Sequence, residues 1–104
     1  MSVLYFIKDN KCFKKDGNST GQVGKSDAVH VSQGLYDGKD AYAITYKDGK
    51  VYMTIGNATS EVSFGSKLGT KIVGTQFHDN GIILNWDNGK MYYRSKTTGK
   101  EFRG

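Results

Sequence analysis

Pairs of residues that tolerate a left-handed backbone punctuate this chain, and each lies between short runs in which large and polar side chains alternate. The three clearest are Asp9-Asn10 in "SVLYFIKDNKCFKKD", Asp48-Gly49 in "DAYAITYKDGKVYMTI" and Asn88-Gly89 in "GIILNWDNGKMYYRS". Two-residue hairpin connections demand positive φ at their centre, which Asn, Asp and Gly supply at low cost. Alternation with a period of two marks a strand with one face buried. No window long enough for a helix keeps the i, i+3, i+4, i+7 apolar spacing without a glycine interrupting it. The pattern therefore specifies an all-β chain of antiparallel hairpins.

Asp9, Asp48 and Asp87 fall at two successive intervals of 39 residues, and "VSQGLYDG" at 31–38 corresponds to "VGTQFHDNG" at 73–81. Such self-similarity is the signature of internal duplication, and a period of about 40 residues also suits a β-trefoil or propeller blades. With 17 residues after Asp87, a trefoil would lack its last strands and a propeller would close only by oligomerisation. Two antiparallel sheets packed face to face, a jelly-roll or lectin-like β-sandwich, need no such completion. Residues 1–104 form one domain, because a chain of this length holds one core.

A two-residue turn fixes which positions share a face. Tyr42, Ile44 and Tyr46 then lie with Val51, Met53 and Ile55 on the core side, and Ile82, Leu84 and Trp86 with Met91 and Tyr93. Ala43, Thr45, Tyr52, Thr54, Ile83, Asn85, Tyr92 and Arg94 face outward. Phe13, Tyr52 and Tyr92 recur just after the three turns, where an aromatic ring either protects a hairpin end or meets a ligand.

The 37% hydrophobic fraction, with seven tyrosines, supplies a core despite 14 glycines and argues against disorder. Fifteen Lys and Arg against ten Asp and Glu give a net charge of +5, a mild bias toward anionic partners without the long basic run of a dedicated nucleic-acid arm. Cys12 is the only cysteine, so no intrachain disulfide forms. The apolar run from Val3 to Ile7 is too short for a signal core or a membrane span and has no basic segment before it. These features lead to the expectation of a cytoplasmic protein, or one exported without a conventional signal peptide, that does not insert into membranes. The sequons at Asn18 and Asn57 carry weight only in a glycosylating compartment.

Catalytic constellations are sparse. "VGKS" at 23–26 ends like a phosphate-binding loop, but Ser19 stands where that loop needs its first glycine and no helix follows. Ser26, Asp27 and His30 are neighbours in sequence without the convergence of a hydrolytic triad. Cys12, His30 and His78 lack the paired spacing of metal ligands, and the acids are too scattered for a tight calcium loop, which leaves at most weak calcium binding. No cofactor and no enzymatic activity are expected.

What remains is a β scaffold whose turns carry Asp, Asn and Gly with aromatic neighbours. Carboxylates and amides grip vicinal hydroxyls, and a ring face covers the apolar side of a pyranose. The predicted ligand-binding residues are Tyr36 and Asp37 with His78, Asp79 and Asn80, in equivalent turns, together with Asn85, Asp87, Asn88 and Tyr92. Repeated sites would add avidity.

With its size, its proline-free β pattern and the duplicated "LYDG" and "FHDNG" turns, the chain resembles the small non-catalytic β-sandwich lectins of the slime-mould hemagglutinin type. The resemblance implies agglutination through glycans or glycoproteins, with loops at one end of the sandwich forming the site. Legume-type lectins also imply a metal-supported loop, and the chain departs from them by lacking a cluster of acids. The alternative is a single-stranded nucleic-acid binder in which Phe13, Tyr52 and Tyr92 stack bases while Lys8, Lys11, Lys14, Lys47, Lys50, Lys90 and Arg94 follow the phosphates.

Overall fold

The structure, a computed structural model, describes residues 3–64, 67–96 and 99–102. They form eleven strands: β1 (Val3–Lys8), β2 (Lys11–Asp16), β3 (Ser19–Val23), β4 (Ala28–Tyr36), β5 (Lys39–Tyr46), β6 (Val51–Ile55), β7 (Ala58–Glu61), β8 (Ile72–His78), β9 (Gly81–Trp86), β10 (Met91–Arg94) and β11 (Gly99–Phe102). The strands make three antiparallel meanders in chain order: β1-β2-β3, then β4-β5-β6-β7, then β8-β9-β10-β11. Among the described residues there is no helix, and so none long and apolar enough to cross a membrane.

The first hairpin of each meander closes through a two-residue turn. Asp9-Asn10 (φ 53° and 61°), Asp37-Gly38 (53° and 76°) and Asp79-Asn80 (50° and 58°) have both residues at positive φ. That backbone twist matches the twist of the flanking strands. Lys8 thus pairs with Lys11, Tyr36 with Lys39 and His78 with Gly81.

The next hairpins of the second and third meanders differ from the two-residue form that the sequence suggested. Gly49 N donates to Tyr46 O (2.9 Å) and Tyr46 N to Lys50 O (2.9 Å), and Gly89 N donates to Trp86 O (3.0 Å) and Trp86 N to Lys90 O (2.9 Å). The loops are therefore three residues long, Lys47-Asp48-Gly49 and Asp87-Asn88-Gly89, each ending on a glycine at φ 86°. The preceding side chain completes each loop: Asp48 Oδ1 accepts from Lys50 N (3.0 Å) and Asn88 Oδ1 from Lys90 N (3.1 Å). One extra residue shifts the register by one and exchanges the two faces of the returning strand. Ile44 now opposes Tyr52 and Ala43 opposes Met53, while Leu84 opposes Tyr92 and Ile83 opposes Tyr93.

Three sheets stand where the sequence pattern implied two. The middle sheet lies between the others and is packed on both faces along β5, which is buried or half-buried from Ala41 to Tyr46 rather than alternating with solvent. One face carries Ala41, Ala43, Val51 and Met53 into a core shared with Ile72, Ile82, Leu84, Trp86 and Tyr92 of the third sheet. The other carries Ile44 and Tyr46 into a smaller core with Cys12 and Ala28, flanked by Tyr5, Ile7 and Val23. A two-layer sandwich cannot cover both sides of one sheet, which is why the count rises to three.

First strands meet first strands across the larger interface. β4 and β8 run parallel, with Ser32 Oγ and Thr75 Oγ1 2.6 Å apart at a sequence separation of 43. Gly34 makes the approach possible, since a Cβ there would stand 2.6 Å from the Phe77 Cβ. On the opposite side, the Gln33 side chain grips the edge of β1, donating to Val3 O (2.7 Å) and accepting from Tyr5 N (3.2 Å). The first sheet is thereby fixed over the β4 side of the middle sheet.

Candidate functional site

Because the first sheet is anchored at β4, it leaves part of the middle sheet uncovered. The exchanged register decides what is shown there: Tyr42 opposes Thr54 and Ile44 opposes Tyr52, and Thr54 opposes Thr59 of β7. These residues floor a cleft along β5, β6 and β7. On one side of Tyr42 the cleft holds a cavity of about 690 Å³ bordered by Tyr5, Gln33, Leu35 and Asp40, and on the other a cavity of about 330 Å³ bordered by Lys25, Tyr46, Tyr52 and Thr59. Tyr42 and Thr54 line both.

The rings are held by one another. Tyr5 stacks on Tyr42 with centroids 4.0 Å apart and planes at 21°, and Tyr46 meets Tyr52 edge-on at 5.7 Å. Gly24, at φ 74°, lies so close to the Tyr46 hydroxyl that any Cβ would collide with it. That close passage brings Lys25 N to donate to Tyr46 Oη (3.1 Å) and sets the Lys25 ammonium 4.9 Å from the Tyr46 ring centre and 4.8 Å from that of Tyr52. A cation over two ring faces is attracted by their quadrupoles. The Thr54 and Thr59 hydroxyls are 2.7 Å apart, a paired donor and acceptor at the wall. Burial, reinforced by Tyr42, Cys12, Asp16 and Asp40, raises the Tyr5 pKa above the usual phenol value and keeps its hydroxyl protonated. Chemically, the cleft offers aromatic faces, hydroxyls, the Gln33 amide, the Lys25 ammonium and the Asp40 carboxylate, a set suited to a polyhydroxylated ligand.

The residues predicted to bind ligand are distributed differently. Asp37, His78, Asp79 and Asn80 do come together at one end of the molecule, where Asp37 N donates to Asn80 O (3.0 Å) and Gly38 N to Asn80 Oδ1 (3.1 Å). Tyr93 Oη donates to Asp79 O (2.8 Å), and Lys96 Nζ lies 3.4 Å from Asp37 Oδ2. Tyr36, expected beside them as a ligand contact, is buried in the larger core. Asp87 and Asn88 belong to the opposite end, since the six residues of β9 separate the two turns by roughly 20 Å. There Asp87 Oδ1 accepts from Thr70 N (3.0 Å) and Asn88 Nδ2 donates to Leu68 O (2.8 Å), tying down the segment before β8. Asn85 is half-buried on the face opposite Tyr92.

Tyr92 is the clearest correction. Expected to point outward, it is only 7% exposed and packs with Leu84 and Trp86 between the second and third sheets, because the three-residue loop reverses its face. Tyr52 turns toward the cleft, and Phe13 alone of the three recurrent rings lies on an outer face. Sequence reasoning missed Tyr5, Lys25, Tyr42, Tyr46 and Thr59. The one available signal was the glycine ending "KDG" and "DNG", which serves a three-residue loop as readily as a two-residue one.

Other chemically capable side chains stand apart from the cleft. His30 is half-buried beside Gly74, its Nδ1 accepting from Thr75 N (3.4 Å), and burial lowers its pKa. Cys12 is buried, and burial pushes its thiol pKa up to about 11. Among the described residues no three His, Cys, Asp or Glu side chains gather as a metal-binding group. No protein-family model matches the chain, and no curated protein is significantly similar to it in sequence.

Proposed function

We propose that this protein binds carbohydrate, and that the saccharide occupies the tyrosine-lined cleft between the first and second sheets. The observation that carries this reading is the meeting of Tyr42 and Tyr52 with the Thr54–Thr59 hydroxyl pair at the floor of an open cavity. A pyranose has one face of C–H groups and a rim of hydroxyls. The first packs on a tyrosine ring and the second exchanges hydrogen bonds with threonine, glutamine and aspartate side chains. Two cavities sharing Tyr42 suit a ligand of more than one sugar unit, with Lys25 and Tyr52 at one end and Gln33 and Asp40 at the other.

In this proposal the second and third sheets, packed face to face with β4 beside β8, form a lectin-like sandwich built from two copies of a unit of about 40 residues. The first sheet forms the wall that makes the cleft. The site therefore moves from the Asp/Asn/Gly turns to the sheet face. The activity is the one implied by the resemblance to small non-catalytic lectins.

A glycan array tests this directly. Thr59 is exposed on β7, so Thr59→Arg fills the smaller cavity without touching a core and should abolish retention of whichever glycan binds. Asp79→Asn, in the distant turn, should leave it intact. Failure of the wild-type protein to retain any saccharide, or loss of binding in Asp79→Asn and not in Thr59→Arg, overturns the proposal.

A further inference from the structure

The outer face of the first sheet carries a second array of groups, separate from the cleft. In the β1–β2 pairing Leu4 opposes Lys15, Phe6 opposes Phe13 and Lys8 opposes Lys11, and all six share the face turned away from Cys12 and the smaller core. Phe6 and Phe13 stand side by side with centroids 5.7 Å apart and planes at 23°. Lys8 and Lys11 are exposed toward the turn, Lys15 is exposed at the other end, and Leu4 is 56% exposed. The outward positions of β3, Thr20 and Gln22, carry no charge, and Asp16 falls on the inward parity opposite Val3. At its strand positions this face therefore has three positive charges, no carboxylate, and an aromatic pair between them, with Asp9 exposed in the turn that joins Lys8 to Lys11.

We infer that the outer face of β1-β2-β3 binds single-stranded nucleic acid, with Phe6 and Phe13 as the stacking platform and Lys8, Lys11 and Lys15 as phosphate partners. Charge complementarity selects a polyanion. Rings flanked by lysines along the strand direction select one whose flat, apolar units alternate with phosphates. A sulfated glycan chain would use the lysines and leave the two phenylalanines without a role. The two rings are half-exposed and stack on each other across the hairpin; the surface they leave open at the centre of a basic face is the part that bases would cover.

Fluorescence polarisation of a labelled twelve-nucleotide oligothymidylate with the full chain measures this. Three phosphate contacts on a single strand give a log–log salt slope of about −2, so affinity should fall roughly 20-fold between 50 and 200 mM salt. Replacing Lys8, Lys11 and Lys15 together by Gln should remove most of that slope. Phe13→Leu, at a half-exposed site, should weaken binding about fivefold or more with the slope retained, since a stacked base is lost but no charge. Circular dichroism melts verify that both variants fold, and the lysine variant, changed only at exposed positions, keeps the test decisive if Phe13→Leu is unstable. Thr59→Arg should leave oligonucleotide binding unchanged, so this surface and the saccharide cleft stand or fall separately. Absence of binding overturns the inference. So does binding insensitive to the lysine changes, or binding that Phe13→Leu leaves intact and a heparin-like chain displaces equally well.

Discussion

Replacing Tyr92 by alanine removes a ring enclosed between the second and third sheets, against Leu84 and Trp86. Deleting a buried aromatic side chain costs about 3–5 kcal/mol through lost transfer energy and the cavity left behind. A domain of this length is stable by only about 5–15 kcal/mol. At the lower figure of about 3 kcal/mol, and about 4–8 °C per kcal/mol for a small domain, the melting temperature should fall by roughly 12–24 °C. Tyr93→Ala provides the contrast. Tyr93 lies on the opposite face, is half-buried, and gives up a hydrogen bond to Asp79 O (2.8 Å), so its loss should cost about half as much or less. Thermal melts followed by circular dichroism, or by calorimetry, read both. If Tyr92→Ala melts within about 3 °C of the parent while Tyr93→Ala is the damaging change, the hairpin has a two-residue turn and the face assignment built on the three-residue loops is wrong.

Further expectations concern the sheet interface and the buried titratable groups. Gly34→Ala places a Cβ 2.6 Å from that of Phe77 and should destabilise by about 1–3 kcal/mol as β4 and β8 are pushed apart; an unchanged melting temperature would contradict the close approach. Burial lowers the His30 pKa below its ordinary value of 6.5, favouring the neutral ring. The unfolded chain takes up a proton as pH falls through 6.5 while the folded chain resists it, so this contribution is complete above that value and declines below it. Urea midpoints should accordingly be lower at pH 5.5 than at pH 7.5, and the difference should shrink in His30→Gln; equal midpoints would remove His30 from the account. Cys12, fully buried with its thiol pKa raised to about 11, should resist iodoacetamide at pH 8 in the native protein and react fully in denaturant, and rapid native labelling would show that the smaller core is open.

The chemistry of turns made the strands legible, and it also set the limit of what was legible. Asp9-Asn10 is a pair in which both residues accept positive φ, so that hairpin was legible in the letters, whereas Asp37-Gly38 and Asp79-Asn80, of the same chemistry, were read only as equivalent turns. Asp48-Gly49 and Asn88-Gly89 use the same letters, but the glycine ends a loop begun by Lys47 or Asp87. That single residue set Tyr92 in place of Tyr93 opposite Leu84 and Tyr52 in place of Met53 opposite Ile44, while Met53 stayed in the larger core, now beside Ala43. The third sheet layer was hidden for a different reason. β5 reads "KDAYAITY", whose small residues, Ala41, Ala43 and Thr45, look solvent-facing by composition yet fill the narrow space against the third sheet. The cleft was not readable at all, since it exists only where the first sheet stops covering the second, and that limit depends on a contact as distant in sequence as Gln33 with Val3.

Backbone chemical-shift mapping of the isotopically labelled protein with the saccharide that an array selects tests the central claim most directly. Saturable shifts should concentrate on Lys25, Tyr42, Tyr52, Thr54 and Thr59, with the amides of Asp37, Asp79 and Asp87 still. Shifts centred on those three turns, with the tyrosine cleft silent, would contradict it.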